Sequence, residues 1–379
     1  MYRRLRPFLF WLDAEQAHHA GMAAAGVGQQ VPGVVRRLFA FEEQPTGARL
    51  AQTLWPDRGG LRFRNPVGLA AGFDKNAARV PFWDALGFGF AEVGSVTALP
   101  STGNPTPRAF RLPDDSALVN RMGLNNDGAA AVAERLASTP APEGFVLGVN
   151  VAKTHSADIL GDAALDDFAT SVRHVARHAG YLALNVSCPN TAEGKTFEEP
   201  AALDGLLTRV QAVLDDLGAR PPVLVKFSPP MLVDGQPDFG GIDELVALCL
   251  EHDVDGFIAT NTASDRSGLT ADAAALDRIG RGGLSGAPLQ ARSTALVRHL
   301  YRLTDGAAPI IGVGGVDSGA AAYEKIRAGA SLVELYTGLV YEGPALVGRI
   351  NRDLIRFLDR DGFGTLAEAV GSETVGAGT

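Results

Sequence analysis

Eight short apolar segments, each flanked by polar turns, constrain the fold of this chain more than any other feature. They are rich in Val, Ile, Leu and Gly, and helical patterns lie between most of them, for example at 162–179 and 289–303. The segments are Val67–Ala71, Ala91–Val96, Phe145–Asn150, Tyr181–Val186, Val223–Phe227, Gly256–Asn261, Pro309–Gly314 and Leu332–Thr337. Apolar strands that alternate with helices indicate a parallel sheet buried on both faces. Eight such units predict an α/β fold of the (β/α)8 barrel type, with a doubly wound open sheet as the alternative.

Composition excludes several classes of protein. The chain has 379 residues, enough for a barrel with one appendage, and its formal net charge of -9 argues against nucleic acid as a partner. Two cysteines in this length favour a reducing compartment over a disulfide framework. No apolar run approaches the ~20 residues that span a bilayer, and the run Phe8–Leu12 is too short for a signal peptide. We therefore expect neither secretion nor a membrane span.

The chain divides into three parts on sequence grounds. Residues 1–45 form a helical N-terminal unit, residues 46–365 the barrel and residues 366–379 a flexible tail. Asp13 followed by Gln16 resembles a capping box at a helix start. Apolar residues at helical spacing across 31–39 predict a second, amphipathic helix. Two interpretations stay open for these helices, since they suit either a membrane interface or a cap packed on the barrel.

Three connections carry further structure. The long segments 99–138 and 262–287 exceed plain crossovers, which is typical of binding loops or lids. Within the first, Arg108–Asn120 predicts a hairpin turning at Pro113–Asp115. Residues 50–64 predict a second hairpin that plugs the opposite end of the barrel.

A phosphate site is predicted near the seventh strand. Ile311–Ser318 reads as a strand, a glycine turn and a helix start, and glycines let backbone N–H groups approach an anion. Barrels commonly bind phosphate at the loops after strands seven and eight. Gly282–Gly286 could add further backbone donors. The competing interpretation is a tight turn that needs glycine only for packing.

Two lysines lie where they could face a ligand. Lys75 follows the first strand, and Lys226 lies inside the fifth. A lysine within an apolar strand is rarely buried without an anionic partner, so it could stabilise negative charge on a cofactor or substrate. The alternative is a structural lysine whose ammonium group reaches solvent.

Amides and one thiol complete the candidate site. Seven asparagines lie at strand ends or in the long loops, which suits a planar heterocycle; they are Asn120, Asn125, Asn126, Asn150, Asn185, Asn190 and Asn261. Cys188 is the candidate base, because nearby cations lower a thiol pKa, although a small packing residue is the alternative. Cys249, on a helix, is interpreted as packing. His174 and His178 lie beside arginines and predict a solvated helix face, so no metal site is expected.

Several motifs, in order along nearly the whole chain, resemble the dihydroorotate dehydrogenase family. They are Ala70–Lys75, Gly94–Thr97, Asn120–Gly123, Asn185–Thr191, Thr260–Thr262, Gly282–Gly286, Gly312–Gly315 and Tyr336–Thr337. The N-terminal segment Leu12–His18 further resembles class 2 of that family, the membrane-associated branch that reduces quinones.

The resemblance implies an FMN-dependent oxidoreductase that oxidises dihydroorotate to orotate in pyrimidine synthesis, peripheral on the cytoplasmic side of the cell membrane. FMN would be held by Ala71, Gly72, Asp74, Lys75, Ser95, Asn150, Asn185, Lys226, Thr260, Gly286, Gly315, Tyr336 and Thr337. Substrate would be held by Lys75, Asn120, Arg121, Met122, Gly123, Leu124, Asn185, Asn190, Asn261 and Thr262. The quinone tunnel would be lined by His18, Arg111 and Tyr336.

One position departs from class 2. Members of that class usually carry serine as the base, whereas Cys188 resembles the soluble class 1 enzymes. Two rival functions therefore stay open: a class 1-type enzyme that uses fumarate or a partner subunit, and a non-catalytic barrel that binds a phosphorylated ligand. The N-terminal unit favours the quinone, because it is a whole structural element.

Overall fold

A closed barrel of eight parallel strands forms the centre of the protein. The computed structural model describes residues 2–40, 48–187 and 196–375. The strands are β1 (Val67–Leu69), β2 (Phe90–Val96), β3 (Val146–Val151), β4 (Tyr181–Asn185), β5 (Val223–Phe227), β6 (Gly256–Ala259), β7 (Ile310–Val313) and β8 (Leu332–Leu335). Each pairs with the next in sequence, and β8 closes onto β1 with Val333 opposite Val67. The predicted barrel is confirmed, and the open-sheet alternative is wrong.

Helices surround the barrel and precede it. They are α1 (Tyr2–Trp11), α2 (Ala14–Gly28), α3 (Pro32–Phe39), α4 (Val80–Leu86), α5 (Ala129–Ser138), α6 (Asp162–Val175), α7 (Pro200–Leu217), α8 (Ile242–Glu251), α9 (Ala273–Ile279), α10 (Gln290–Leu303), α11 (Gly319–Ala328), α12 (Thr337–Glu342), α13 (Leu346–Asp361), α14 (Leu366–Ala369) and α15 (Ser372–Val375). The main core joins helix residues such as Phe168 and Leu296 to strand residues such as Val225, all fully buried. This layer of helices explains why the strands are apolar on both faces.

Aromatic side chains close the amino-terminal end of the barrel. The hairpin predicted at 50–64 is present, with Gln52–Leu54 antiparallel to Leu61–Phe63. The Trp55 ring lies 5.9 Å from Tyr181, and the Phe63 ring lies 5.3 Å from Phe90. These rings fill the amino-terminal end, so the space for a ligand lies at the carboxyl end of the barrel.

The N-terminal helices pack against the barrel. Asp13 caps α2 by accepting a hydrogen bond from the Glu15 amide at 2.8 Å, and α2 ends at Gly28, as the sequence predicts. The Arg36 guanidinium of α3 donates to Asp84 of α4 at 2.8 Å. Helix α1 was not anticipated from the pattern. In the part of the chain that the structure describes, no helix is both long enough and apolar enough to cross a bilayer.

A small antiparallel sheet lies over the carboxyl end of the barrel. The predicted hairpin is present as Ala109–Leu112 and Ala117–Asn120. A third strand, Gly283–Gly286, pairs with Ala117–Asn120, although the sequence predicts only a loop there. At the C-terminus, residues 366–375 were expected to belong to a flexible tail, but they form α14 and α15, with Leu366 fully buried.

Candidate active site

A large cavity opens at the carboxyl ends of the strands. It has a volume of about 540 Å³ and extends from the barrel floor to helices α1 and α2. Most of the predicted FMN and substrate residues line it: Ala71, Gly72, Lys75, Ser95, Asn120, Met122, Gly123, Leu124, Asn185, Lys226, Thr260, Asn261, Thr262, Gly286, Gly315, Tyr336 and Thr337. The fold therefore brings together residues that the sequence separates by more than two hundred positions.

Asp74 is predicted to hold FMN, but its carboxylate does not line the cavity. Its oxygens accept hydrogen bonds from the amides of Ala78 and Arg79, at 2.7 and 2.8 Å, and from the Trp83 indole at 2.9 Å. Asp74 thus holds the loop that carries Lys75 in place, and it acts on the site through that loop.

Asn150 and Arg121 also lie behind the cavity wall. The Asn150 side chain donates to Glu92 at 3.0 Å and accepts a hydrogen bond from the Ser95 hydroxyl, so it orients Ser95. The Arg121 guanidinium donates to backbone carbonyls, including that of Pro107 at 3.1 Å, and lies over the Phe110 ring. Arg121 therefore stabilises the position of the hairpin, and its side chain does not line the cavity.

Amides from two strands converge on the floor of the cavity. The Asn261 amide donates to Asn185 at 3.0 Å, and the Asn185 amide donates to the Ser95 hydroxyl at 3.1 Å. The Ser187 hydroxyl donates to the Lys226 carbonyl at 2.8 Å and is fully buried. These groups form a connected set of hydrogen-bond donors and acceptors, and Asn185 and Asn261 line the cavity. Cys188 and Asn190 lie outside the described residues.

Lys75 supplies a cation to the same space. Its ammonium group donates to the Gly72 carbonyl at 2.8 Å. Burial lowers the pKa of Lys75 to about 8; repulsion by Arg108 acts in the same direction, and attraction by Glu15 opposes it. With this pKa the side chain is mostly charged at neutral pH, so it can attract a carboxylate.

The turn after β7 is formed by two glycines and therefore has no side chains. Gly314 and Gly315 have φ of +117° and +72°, which other residues rarely adopt. A Cβ at Gly315 would lie 2.5 Å from the Gln290 Cβ, and one at Gly286 would lie 2.4 Å from the Ser116 carbonyl oxygen. This close packing requires glycine at both positions. Gly286, Gly314 and Gly315 also line the cavity, so their backbone can face a phosphate there.

Three floor residues were missed in the sequence: Glu92, Tyr181 and Glu334. The Lys226 ammonium lies 2.9 Å from a Glu92 oxygen and 4.0 Å from a Glu334 oxygen. Burial lowers the pKa of Lys226, but the ion pair with Glu92 opposes burial and the pKa is raised overall. Glutamates inside apolar strands carry the same signal that singled out Lys226, so they were detectable.

Comparison with known proteins accords with this geometry. The family model described as dihydroorotate dehydrogenase matches residues 50–358. The chain belongs to the dihydroorotate dehydrogenase family. This is a family of flavin-dependent oxidoreductases. Similar curated relatives are the "Dihydroorotate dehydrogenase (quinone)" of Deinococcus deserti, 45% identical over 98% of this chain and 100% of the relative, and the mitochondrial one of Arabidopsis thaliana, 40% identical over 97% and 81%. These names confirm the resemblance to the quinone-reducing class 2.

A solved structure of a dihydroorotate dehydrogenase is similar as well. The ligand-free enzyme from Eimeria tenella superposes with a TM-score of 0.83, is 34% identical and covers 95% of this chain and 99% of its own. The barrel of this chain is therefore the fold of the family.

Aromatic rings connect the cavity of this dihydroorotate dehydrogenase family member to its N-terminal helices. The ring of His18 lies 5.1 Å from that of Phe73, which lies 5.0 Å from that of Tyr336. The Arg111 guanidinium lies 4.6 Å from the Phe10 ring and donates to the Leu12 carbonyl at 2.7 Å. Burial, reinforced by Lys75, lowers the pKa of His18 to about 4, so its imidazole is neutral at physiological pH.

The remaining predictions concern cysteine and histidine. Cys249 is fully buried in the core, and burial raises the pKa of its thiol to about 12, which confirms the packing interpretation. His174 and His178 are exposed on or just after α6, as predicted. Across residues 2–40, 48–187 and 196–375, no group of three or more potential ligands could hold a metal ion.

Proposed function

We propose that this protein oxidises dihydroorotate to orotate and passes the electrons to a membrane quinone, as a step of de novo pyrimidine synthesis. The observation that carries the proposal is the continuity of one cavity. It joins an amide-rich floor with two lysines, Lys75 and Lys226, to an aromatic opening at His18 and Phe10. A polar substrate and an apolar electron acceptor would thus reach the same space from different sides.

FMN is the flavin that this site suits. Its phosphate would lie at the turns of Gly286 and Gly315, where added side chains would collide with neighbouring atoms. Its ring would lie against Lys226 and the amide of Asn185, which both line the cavity. Bound FMN supplies the hydride acceptor. A bound flavin is testable directly, because the purified protein would be yellow, and the mass of the released cofactor would identify it as FMN.

The substrate would be held by charge and by amides. Lys75 would pair with its carboxylate, and Asn120, Asn185 and Asn261 would hydrogen bond to its ring amides. The Asn120 amide already donates to the Gly283 carbonyl at 3.4 Å, so it is held at the end of the hairpin. This clamp would orient C6 for hydride loss.

Cys188 is the proposed base that removes the C5 proton. It directly follows Ser187, whose hydroxyl is bonded to the Lys226 carbonyl and is therefore not free to act as the base. Cys188→Ala should slow flavin reduction by about 100-fold or more, because a positioned base contributes at least that factor. Cys188→Ser should retain more activity and shift the pH optimum upward. Flavin reduction at near-normal rate in Cys188→Ala would exclude Cys188 as the base.

Residues 1–45 are the proposed membrane-docking unit in front of the barrel at 46–365. Helices α1–α3 and their connections expose an unusual number of large apolar side chains: Leu5, Phe8, Trp11, Leu12, Val27, Val31, Val34 and Leu38. Trp11 is 81% exposed and Phe8 60%. Such a cluster favours peripheral association with the cell membrane on its cytoplasmic side.

Vesicle binding tests the docking unit. Trp11→Ser should weaken sedimentation with phospholipid vesicles and slow the reduction of a long-chain quinone. Met231→Ser is a control, because Met231 is 48% exposed on a separate two-stranded hairpin, Met231–Val233 paired with Gln236–Asp238. Equal loss of binding in both variants, or in neither, would exclude α1 as a membrane contact.

The electron acceptor is tested by anaerobic mixing. Dihydroorotate should bleach the flavin, and a quinone, but not fumarate, should restore its colour. Deletion of residues 1–41 should abolish reoxidation by quinone and leave bleaching intact. Reoxidation by fumarate would instead favour the class 1-type function, for which the cysteine at position 188 is the supporting observation.

A further inference from the structure

The floor of the cavity holds two buried carboxylates and one lysine. Glu92 and Glu334 are both completely buried, Lys226 is 5% exposed, and Tyr181, whose hydroxyl reaches both carboxylates, is fully buried as well. Lys226 and Glu334 line the cavity, so the charge of this cluster acts directly on whatever ring binds there.

The donors in the cluster are unequally shared. Glu92 accepts from the Lys226 ammonium at 2.9 Å and from the Asn150 amide at 3.0 Å. The Tyr181 hydroxyl lies 3.3 Å from oxygens of both carboxylates but has one proton to donate. Among the residues that the structure describes, the Oε2 oxygen of Glu334 has no hydrogen-bond partner, and it lies 4.0 Å from the Lys226 ammonium.

This arrangement satisfies one negative charge, not two. Ionised Glu92 has two strong donors, whereas an ionised Glu334 would be a buried anion with a shared phenol and a distant cation. A buried carboxylate in such surroundings takes up a proton. Burial and the neighbouring Glu92 together raise the pKa of Glu334 well above its usual value.

We propose that Glu334 carries a proton in the folded protein, and that this neutral carboxyl keeps the cavity floor from becoming net negative beneath the bound flavin. Glu334 is then a positioning residue: as a neutral acid it leaves the charge of the Lys226 ammonium balanced by Glu92 alone. Ionisation of Glu334 would place a second negative charge there and disfavour any negative charge on the ring above it.

Within the described barrel, the two strands that pair with the strand of Glu334 bring no titratable side chain to it. The paired strands β1 and β7 contribute only apolar residues and glycine, and the groups across the barrel are Glu92 on β2, Tyr181 on β4 and Lys226 on β5. Burial, reinforced by the two carboxylates, raises the pKa of Tyr181 well above its usual value, so the phenol stays neutral and leaves the count of charges unchanged.

Infrared spectroscopy tests the proton directly. The wild-type protein at pH 7 should show a protonated carboxyl band that Glu334→Gln lacks. Glu92→Gln should also lack it, because Glu334 would then ionise to pair with Lys226. Absence of the band in the wild type, or its survival in either folded variant, would overturn the proposal. Should a variant fail to fold, the wild-type band must persist from pH 6 to 9, and its loss in that range has the same meaning.

A second measurement tests the effect on the flavin, and this part rests on the proposed FMN site. At pH 7 and a fixed potential, Glu334→Gln should change the oxidised-to-reduced ratio of the bound flavin by less than tenfold, since glutamine matches the neutral acid. A larger change, equivalent to more than about 30 mV for a two-electron couple, would show that Glu334 is charged and overturn the proposal. A protein without flavin would refute the proposed function but leave the infrared result standing.

Discussion

Replacement of Lys325 by methionine would measure how strongly burial of this lysine limits stability. Lys325 lies on α11 and is completely buried. Its ammonium group donates to the hydroxyls of Ser293 and Thr294, at 2.9 and 3.0 Å, and to the Gln290 carbonyl at 3.3 Å. These partners are neutral, so burial lowers the pKa of Lys325 to about 7 from 10.5, with Glu324 opposing weakly.

The sign and size of the effect follow from linkage. Between pH 7 and 10.5 the unfolded chain keeps a proton on Lys325 that the folded protein has lost, so the free energy of unfolding rises with pH. From pH 7 to 9 the wild type should therefore gain about 2 kcal/mol relative to Lys325→Met, which has no such proton.

Urea denaturation followed by circular dichroism at pH 7, 8 and 9 measures this difference. Arg327→Met is the matched control, because it removes a cation from the same helix that keeps its charge throughout this range. Its stability difference from the wild type should not change with pH. A Lys325→Met difference that is equally independent of pH would refute the reasoning, since it would mean that Lys325 keeps its proton when folded.

Two further predictions concern the opening and the floor of the barrel. His18→Gln should raise the KM for quinone about fivefold, because an aromatic contact is worth roughly 1 kcal/mol. It should leave bleaching of the flavin by dihydroorotate unchanged. Quinone reduction that titrates near pH 6.5 would contradict a neutral His18. Gly148→Ala should lower the free energy of unfolding by about 3 kcal/mol, because the new Cβ would lie 2.1 Å from the Tyr181 Cζ. Gly33→Ala, with no atom within 4 Å, is its control in the same urea titration.

The sequence singled out the candidate anion-binding segments of the site because the signal of each lies within a few neighbouring residues. A strand followed by a glycine turn and a helix start, as at 311–318, predicts an anion site before any neighbour is known. Lys75 and Lys226 were recognisable for the same reason. A lysine at the end of an apolar strand or inside one is unusual, and this can be seen from its immediate neighbours in the sequence. The structure places both lysines in the cavity.

Pairings across the barrel could not be read from the sequence. The third strand of the small sheet, Gly283–Gly286, is too rich in glycine to show a strand pattern, and it forms because the hairpin offers an unpaired edge. Asp74 and Arg121 match the family pattern by position, yet their side chains bind the backbone rather than line the cavity. The direction in which a side chain points depends on its neighbours in space, and these neighbours cannot be read from its position in the sequence.

The sequence by itself determined that this chain forms a parallel sheet buried on both faces, because its eight apolar segments alternate with helical patterns, and eight such units favour a barrel over an open sheet. The tertiary structure alone decided which charges meet inside it. Four different strands carry Glu92, Tyr181, Lys226 and Glu334. Closure of the barrel brings the Lys226 ammonium and the Tyr181 hydroxyl each within 4.0 Å of both carboxylates. Proton occupancy at the floor depends on those distances, since electrostatic energy follows separation in space and not along the chain.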